Sequence, residues 1–230
     1  MKLAIMQPYF FPYIGYFQLI NAVDKFIFYD DVNFIKKGWI NRNKILINNQ
    51  PQYITISIKD ISPNRLIKDT QIIDNRDKIK KTIFLNYKKA PLFEQVWPII
   101  EDCLIFKTNF ISELNIYSIK KICEYLGINK NFEVSSKNYT NTINLKKEKR
   151  LIEICKINNA QIYINPIGGQ SIYKKETFHK EGIQLFFIKT KDISYKRFND
   201  VFFNNLSIID ILMFNPIEKI IEMLNEYELI

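Results

Sequence analysis

Three stretches of this sequence hold side chains whose types and spacing suit chemistry better than core-building. The richest is Tyr29-Asp30-Asp31-Val32-Asn33-Phe34-Ile35-Lys36-Lys37-Gly38-Trp39-Ile40-Asn41-Arg42-Asn43. Two adjacent carboxylates close an apolar run, and a carboxylate at a strand end can act as a general base or grip a sugar hydroxyl or an ammonium. Neighbouring side chains on a strand point to opposite faces, so only one of Asp30 and Asp31 is expected to reach a ligand and carry catalysis. Arg42 suits bidentate recognition of phosphate or carboxylate, Lys36 adds a second counter-charge, Asn41 an amide, and Trp39 a flat face for a base or sugar. A polar turn with a surface salt bridge is the plainer alternative.

The second stretch, Gln7-Pro8-Tyr9-Phe10-Phe11-Pro12-Tyr13-Ile14-Gly15-Tyr16-Phe17, packs two prolines and six aromatics into a loop that is neither helix nor strand. It leaves the carboxyl end of a first strand and enters a helix, the place where open α/β sheets bind ligands and where helix-start amides face anions. Gln7, Tyr9, Tyr13, Gly15 and Tyr16 are therefore candidate binding residues, against a hydrophobic plug as the alternative. The third stretch, Tyr163-Ile164-Asn165-Pro166-Ile167-Gly168-Gly169-Gln170, ends a strand in a Gly-Gly turn. Its freed amides can form an anion nest or an oxyanion hole, with Asn165 beside it, although any tight turn uses such glycines.

Much of the usual enzymatic vocabulary is missing. There is no Gly-x-Gly-x-x-Gly, Walker loop or His-Glu-x-x-His. The single His, His179, lies at a polar helix end and reads as a surface or capping residue. Cys103, Cys123 and Cys155 have no C-x-x-C spacing, so neither a zinc ribbon nor a disulfide framework is expected, and they read as buried, reduced thiols of a cytoplasmic protein. No metal is expected. The 33 Lys and Arg outnumber 24 Asp and Glu, giving a net charge of +9. The lysines are scattered, however, so a small anionic ligand explains the positive field as well as nucleic acid does, and no nucleic-acid partner is expected. No apolar run reaches the roughly 18 to 20 residues of a membrane span.

The elements that must position these stretches follow from periodicity. Lys2–Met6, a short helix within Tyr13–Asn21, and Lys25–Asp30 form a βαβ unit, which implies parallel pairing. Gln52–Lys59 alternates as a half-exposed strand, and Leu66–Ile73 is expected to be another. Helices are predicted over Asp77 to about Lys89, Leu92–Lys107 and Ile111–Leu126, the last capped by Gly127. After a polar linker at Ser135–Asn141 come a helix at Glu148–Lys156, strands at Gln161–Asn165 and Gln184–Lys189, and helices at Ser207–Met213 and Pro216–Tyr227. The expectation is one α/β domain over 1–230, with a parallel-type sheet, a Rossmann-like N-terminal βαβ unit and a helical insertion at roughly 77–134.

The aromatic loop is similar to the strand-to-helix loop of nucleotidyltransferases, Phe-x-Pro-x-His-x-Gly-His. Here Phe10 to Pro12 and Tyr13-Ile14-Gly15-Tyr16 fall at similar places, with tyrosines for both histidines, and a phenol does not carry a proton near neutral pH. The three stretches in this order resemble the WbqC-like protein family of bacterial surface-polysaccharide gene clusters. The likeness extends to Tyr87-Lys88-Lys89-Ala90-Pro91, Arg150–Cys155 and Leu206–Asn215. The chain departs from the family's Trp and His before Tyr87, where Asn75 and Ile79 stand, and from its closing Asn-Gly, where Asn215 is followed by Pro216. The resemblance implies tailoring of sugars for surface glycans: transfer of an acyl or aminoacyl group from a thioester, on an acyl carrier protein or coenzyme A, to the amine of a nucleotide-linked amino sugar. No tightly bound cofactor is implied. On that view the phosphates lie near Gly15, with Arg42 and Lys36 as counter-charges, and Asp30 or Asp31 handles the amine proton. The amides at Gly168-Gly169 then face the oxyanion. A non-catalytic nucleotide-sugar or glycan-binding module would use the same surface without the carboxylates.

Overall fold

Lys2–Met6 and Lys25–Phe28 are apolar enough to be buried on both faces, and in the computed structural model, which describes residues 1–59, 64–198 and 203–230, they are central strands. They form β1 (Lys2–Met6) and β2 (Lys25–Phe28), joined by α1 (Ile14–Asn21) and paired in parallel from Leu3↔Lys25 to Met6↔Phe28. A hairpin follows, β3 (Arg42–Ile47) and β4 (Gln50–Thr55), turned by Asn48 and Asn49 at φ 51° and 59° as a two-residue hairpin loop requires. β5 (Ser57–Ile58) pairs with β6 (Ile72–Ile73). Three helices come next, α2 (Arg76–Tyr87), α3 (Phe93–Ile105) and α4 (Ile111–Tyr125), then β7 (Asn131–Val134) and the single turn α5 (Ser135–Asn138). The chain finishes with α6 (Glu148–Ile157), β8 (Ile162–Pro166), α7 (Lys175–His179), β9 (Gln184–Thr190), α8 (Ile208–Phe214), α9 (Ile217–Met223) and β10 (Tyr227–Leu229).

The main sheet runs β10-β9-β8-β1-β2-β7, parallel throughout except for β10 against β9. Strand-to-strand alternation divides the core in two. Ala4, Phe26, Phe28, Ile164 and Ile188 face one side, with Phe17 of α1, Leu104 of α3, Ile119 of α4, Leu212 of α8 and Ile220 of α9. Leu3, Ile5, Ile27, Tyr163, Leu185 and Phe187 face the other, with Leu151 and Cys155 of α6 and Phe178 of α7. From β1 the chain steps outward through β2 to β7, and the return through β8 and β9 builds the opposite half. The loops leaving the carboxyl ends of β1 and β8 therefore part company, and a crevice must open between them.

The α/β class, the mostly parallel sheet and the helices of the middle segment are as expected. Gly127 closes α4 at φ 68°. Four expectations change. The strand at Gln52–Lys59 breaks at Ile56, whose N–H bonds to the Asn41 carbonyl at 2.7 Å, so its halves pair separately outside the main sheet. Leu66–Ile73 is strand only in part: isolated bridges at Leu66 and Gln71 and the two-residue β6, interrupted by a 3₁₀ turn (Ile67–Asp69). The Ser135–Asn141 linker is α5 and a short 3₁₀ turn, and Tyr227 begins a strand rather than ending a helix. No helix among the described residues is long and apolar enough to cross a membrane.

A neutral aromatic cleft at the sheet's carboxyl edge

The crevice at the ends of β1 and β8 is a cleft of about 450 Å³. Tyr9, Tyr13, Tyr16, Tyr29, Tyr173 and Trp39 give it aromatic walls, and Gln7, Asn165, Gly168 and Gly169 its polar points. No charged side chain, imidazole or thiol is among its described lining residues. A second lobe of about 350 Å³ adjoins it across Tyr9, Tyr13, Trp39 and Ile167, and adds Asn43, Lys189, Thr190 and Asn205. A third, of about 140 Å³, continues past Tyr13 and Thr190 toward Lys191, Asp192, Tyr195 and Arg197.

The aromatic loop between β1 and α1 is held in a conformation it would not choose. Phe11 sits at φ 40°, a strained value for a bulky residue, which persists only when the surroundings over-determine it. Three buried side chains do so. Asn43 Nδ2 donates to the carbonyls of Phe10 (3.2 Å) and Phe11 (2.7 Å), and Ser207 Oγ donates to that of Phe11 (2.8 Å). Asn115 Nδ2 bridges the carbonyls of Pro8 (2.9 Å) and Ile40 (2.7 Å). Phe10 and Phe11 anchor beneath, almost wholly buried, while the Tyr16 hydroxyl donates to the Gln7 carbonyl at 2.9 Å. The loop thus serves both readings of its sequence, with phenylalanines as plug and tyrosines as wall. Burial pushes the Tyr9 hydroxyl up to about 12 and raises that of Tyr13, so both stay protonated at any working pH and face the cleft as neutral donors. Across the cleft, Asn165 Nδ2 donates to the Tyr163 hydroxyl at 2.8 Å, and the amide lies against Gly169, where a Cβ would stand 2.1 Å from Asn165 Oδ1.

Gln7, Tyr9, Tyr13, Tyr16, Trp39, Asn165, Gly168 and Gly169 are thus gathered in one place. Asp30, Asp31, Gly15, Lys36, Asn41 and Arg42 are not among the lining residues. Gly15 is closed over: a Cβ there would meet Tyr13 Cε2 at 2.3 Å and Thr190 Oγ1 at 2.5 Å. Arg42 Nε donates to the Gly38 carbonyl (3.2 Å), its terminal nitrogen donates to that of Lys37, and the guanidinium lies 4.2 Å from the centre of the Tyr53 ring. It clasps its own loop. Asn41 Nδ2 donates to the Ile56 carbonyl at 2.8 Å and sets the β4–β5 break, while Lys36 is exposed.

Asp30 and Asp31 are both nearly inaccessible and both reach Ser135, so the alternation expected of strand neighbours does not hold. The reason is that β2 ends at Phe28, and the pair lies in the loop beyond it. Ser135 Oγ lies 3.1 Å from Asp30 Oδ1 and 2.5 Å from Asp31 Oδ1, while Ser136 donates to Asp30 through N–H (3.0 Å) and Oγ (2.8 Å). Asp31 Oδ2 accepts from Arg150 Nη2 at 2.5 Å, an ion pair with both side chains buried. Arg150, whose sequence neighbourhood reads as a basic surface, also donates to Thr142 Oγ1 (3.1 Å) and lies 5.0 Å from the Tyr29 ring centre, backing a wall of the cleft. Burial, above all, raises the Asp30 carboxyl above its ordinary range. A matching cluster lies by the third lobe, where Asp210 takes Arg197 Nε (2.6 Å), Tyr195 Oη (2.5 Å) and Tyr87 Oη (2.9 Å). His179 is exposed at the end of α7, and the three cysteines are buried with thiols pushed up to about 12 by desolvation.

Sequence reasoning passed over Tyr29, Tyr173, Thr190 and Asn205. Thr190 had a signal, since it ends a strand at the carboxyl edge, and Tyr29 directly precedes the acidic pair. Tyr173 and Asn205 had none.

A mixed α/β protein with a mostly parallel sheet and a ligand-sized neutral cleft at the carboxyl ends of its strands is the class that fold and site define. The model of the WbqC-like protein family matches residues 7–222, and the chain belongs to that family. It is 29% identical over 218 residues to "Uncharacterized protein Rv1507c" of Mycobacterium tuberculosis (strain ATCC 25618 / H37Rv), covering 92% of each chain. No solved structure matches the chain.

Proposed function

We propose that the protein is a sugar-tailoring transferase of surface-glycan biosynthesis, acting in the cytoplasm. In this reading it moves an acyl or aminoacyl group from a carrier-protein or coenzyme A thioester to the amine of a nucleotide-linked amino sugar. The observation that carries the reading is the pair of lobes, about 450 and 350 Å³, that share Tyr9, Tyr13, Trp39 and Ile167. Two ligands filling them would abut at that common wall. Aromatic faces with a few neutral polar groups suit the rings of a sugar and a base, and a Rossmann-like use of the first βαβ unit would bring a ligand to the same edge.

The reaction asks little of acid–base groups. The amine nitrogen attacks the thioester carbonyl carbon, a C–N bond forms and the C–S bond breaks. The proton lost from nitrogen leaves with the thiol. Desolvation favours the neutral, nucleophilic amine over the ammonium, and the described lining residues of the first two lobes hold no carboxylate to favour the charged form. Tyr9 and Tyr13, fixed as protonated donors, can face the carbonyl oxygen as it gains charge, with the amides at Gly168-Gly169 beside them. Positioning two substrates can supply up to about 7–11 kcal/mol in the best cases. Asp30, Asp31 and Arg150 then act by holding Tyr29 and the β2–α5 junction, in place of the proton-handling role first given to the acidic pair.

The test is to incubate the protein with a nucleotide-linked amino sugar and an acylated carrier protein, and to look for the amide by mass spectrometry. Amide formation that depends on the protein is the expected result. Saturable binding without product would establish the second reading, a binding module, which the lack of carboxylate, imidazole and thiol among the described lining residues of the first lobe favours.

A further inference from the structure

Gln18 is completely buried, between apolar neighbours on α1, and three of the four hydrogen-bonding positions of its amide, both donors among them, are taken. Nε2 donates to the carbonyl of Met223 at 2.8 Å and to that of Glu226 at 3.0 Å. The amide therefore cannot turn over: the reverse orientation would set Oε1 against two carbonyls, leaving buried groups without partners. With Oε1 fixed, it receives the Thr190 hydroxyl at 2.7 Å. A hydroxyl has one proton to give and lone pairs to receive others. That of Thr190 is committed to Gln18, so Thr190 Oγ1 offers a ligand lone pairs only.

Thr190 stands where this matters. It ends β9 at the carboxyl edge of the sheet and lines both the second and the third lobe, next to Tyr13. Its oxygen comes so close to α1 that a Cβ on Gly15 would lie 2.5 Å away, which gives that glycine its function. The flanking lysines are engaged across the β9–β10 ladder, Lys189 with Glu228 at 3.2 Å and Lys191 with Glu226 at 3.4 Å.

We infer that Thr190 is a binding residue that accepts a proton-donating group of the ligand, with Gln18 as the positioning residue that makes it acceptor-only. The chemical class is an amine or a hydroxyl, and the atom excluded at this point is an unprotonated oxygen, such as those of a diphosphate bridge or a carboxylate, which brings lone pairs to lone pairs. This rests on the transferase reading, within which the donor is the sugar amine, and it assigns the amine to the Thr190 side of Tyr13.

The direct test uses crystals of the whole chain soaked separately in D-glucosamine and in sulfate, an anion with no proton to give. The expected result is glucosamine with a nitrogen or hydroxyl on Thr190 Oγ1, and no sulfate there. Sulfate on Thr190 Oγ1, or neither probe, overturns the inference. In solution, Thr190→Val should weaken binding of UDP-glucosamine by roughly three- to ten-fold, the worth of one hydrogen bond from a neutral amine, and leave binding of UDP unchanged. Thr190→Ser should restore it. An equal loss for both ligands would mean that Thr190 only shapes the lobe, and would overturn the assignment. Glucosamine seated on Thr190 in a chain that ignores every nucleotide sugar would instead overturn the nucleotide-sugar reading and leave the acceptor assignment standing.

Discussion

The cleft and the acidic pair near it are built on opposite principles. The first lobe has no charge among its described lining residues, while Asp30, Asp31 and Arg150, within a few residues of its walls, are buried and bonded to one another's neighbours. A buried charge is tolerated only when its partners are in place, which makes it a poor candidate to greet a changing ligand. The lesson is that the most reactive-looking residues of this chain hold the scaffold, and the least reactive line the cleft.

The largest effect should come from breaking the charged side of that contrast. Asp31→Asn leaves Arg150 buried without its counter-charge, and should cost about 3–5 kcal/mol of stability in urea unfolding. Ligand affinity of the fraction that folds should change far less. A stable Asp31→Asn protein that has lost binding would move the carboxylate into the site.

Gly15→Ala comes next. The new methyl meets the Tyr13 ring and Thr190 Oγ1, and overpacking of this kind costs about 1–3 kcal/mol. Since both neighbours line the lobes, ligand binding should fall along with the melting temperature. Unchanged affinity would show that Tyr13 has room to retreat.

Asp30→Asn should be the mild partner of Asp31→Asn, and its signature lies in pH. The folded chain holds the Asp30 proton at pH values where the unfolded chain has lost it, because burial raises the carboxyl. That group's contribution to stability therefore falls as pH climbs from the ordinary carboxylate range through the raised value. Removing the charge should flatten this part of the stability–pH curve, with the mutant at least as stable as its parent at neutral pH. A steeper fall than in the parent would contradict the sign.

The smallest effect sharpens the neutral side. Cys103, Cys123 and Cys155 are buried, with thiols near 12, so a thiol reagent should label none of them in the native protein and all of them in urea. Native labelling that stops turnover would introduce a covalent thiol route that the cleft does not provide.

Much of this was legible beforehand. Lys2–Met6, the α1 segment and Lys25–Phe28 were readable because buried parallel strands and a short buried helix write themselves into apolar runs. So was the aromatic loop, since two prolines and six aromatics fit no regular element. Sequence could not show which polar residues would find partners. Ser135 and Ser136 read as linker, yet they take up both carboxylates across more than a hundred residues. Arg150 read as part of a basic cluster because a helix shows its buried face only by period, and Lys146, Lys147 and Lys149 surround it. Arg42 looked like a phosphate ligand and instead bonds four and five residues back along its own loop. β7 and β10 are short edge strands whose pairing is decided by the sheet they join.

The most direct test of the cleft is the emission of Trp39. The chain has two tryptophans, and Trp97 stacks on Phe93 among the α2–α3 helices, so Trp97→Phe leaves Trp39 as sole reporter. Titrating that variant with a nucleotide-linked amino sugar, alongside calorimetry, should give a saturable change in emission with the same midpoint as the heat of binding. Heat of binding with silent emission would place the ligand somewhere other than the cleft and contradict the account.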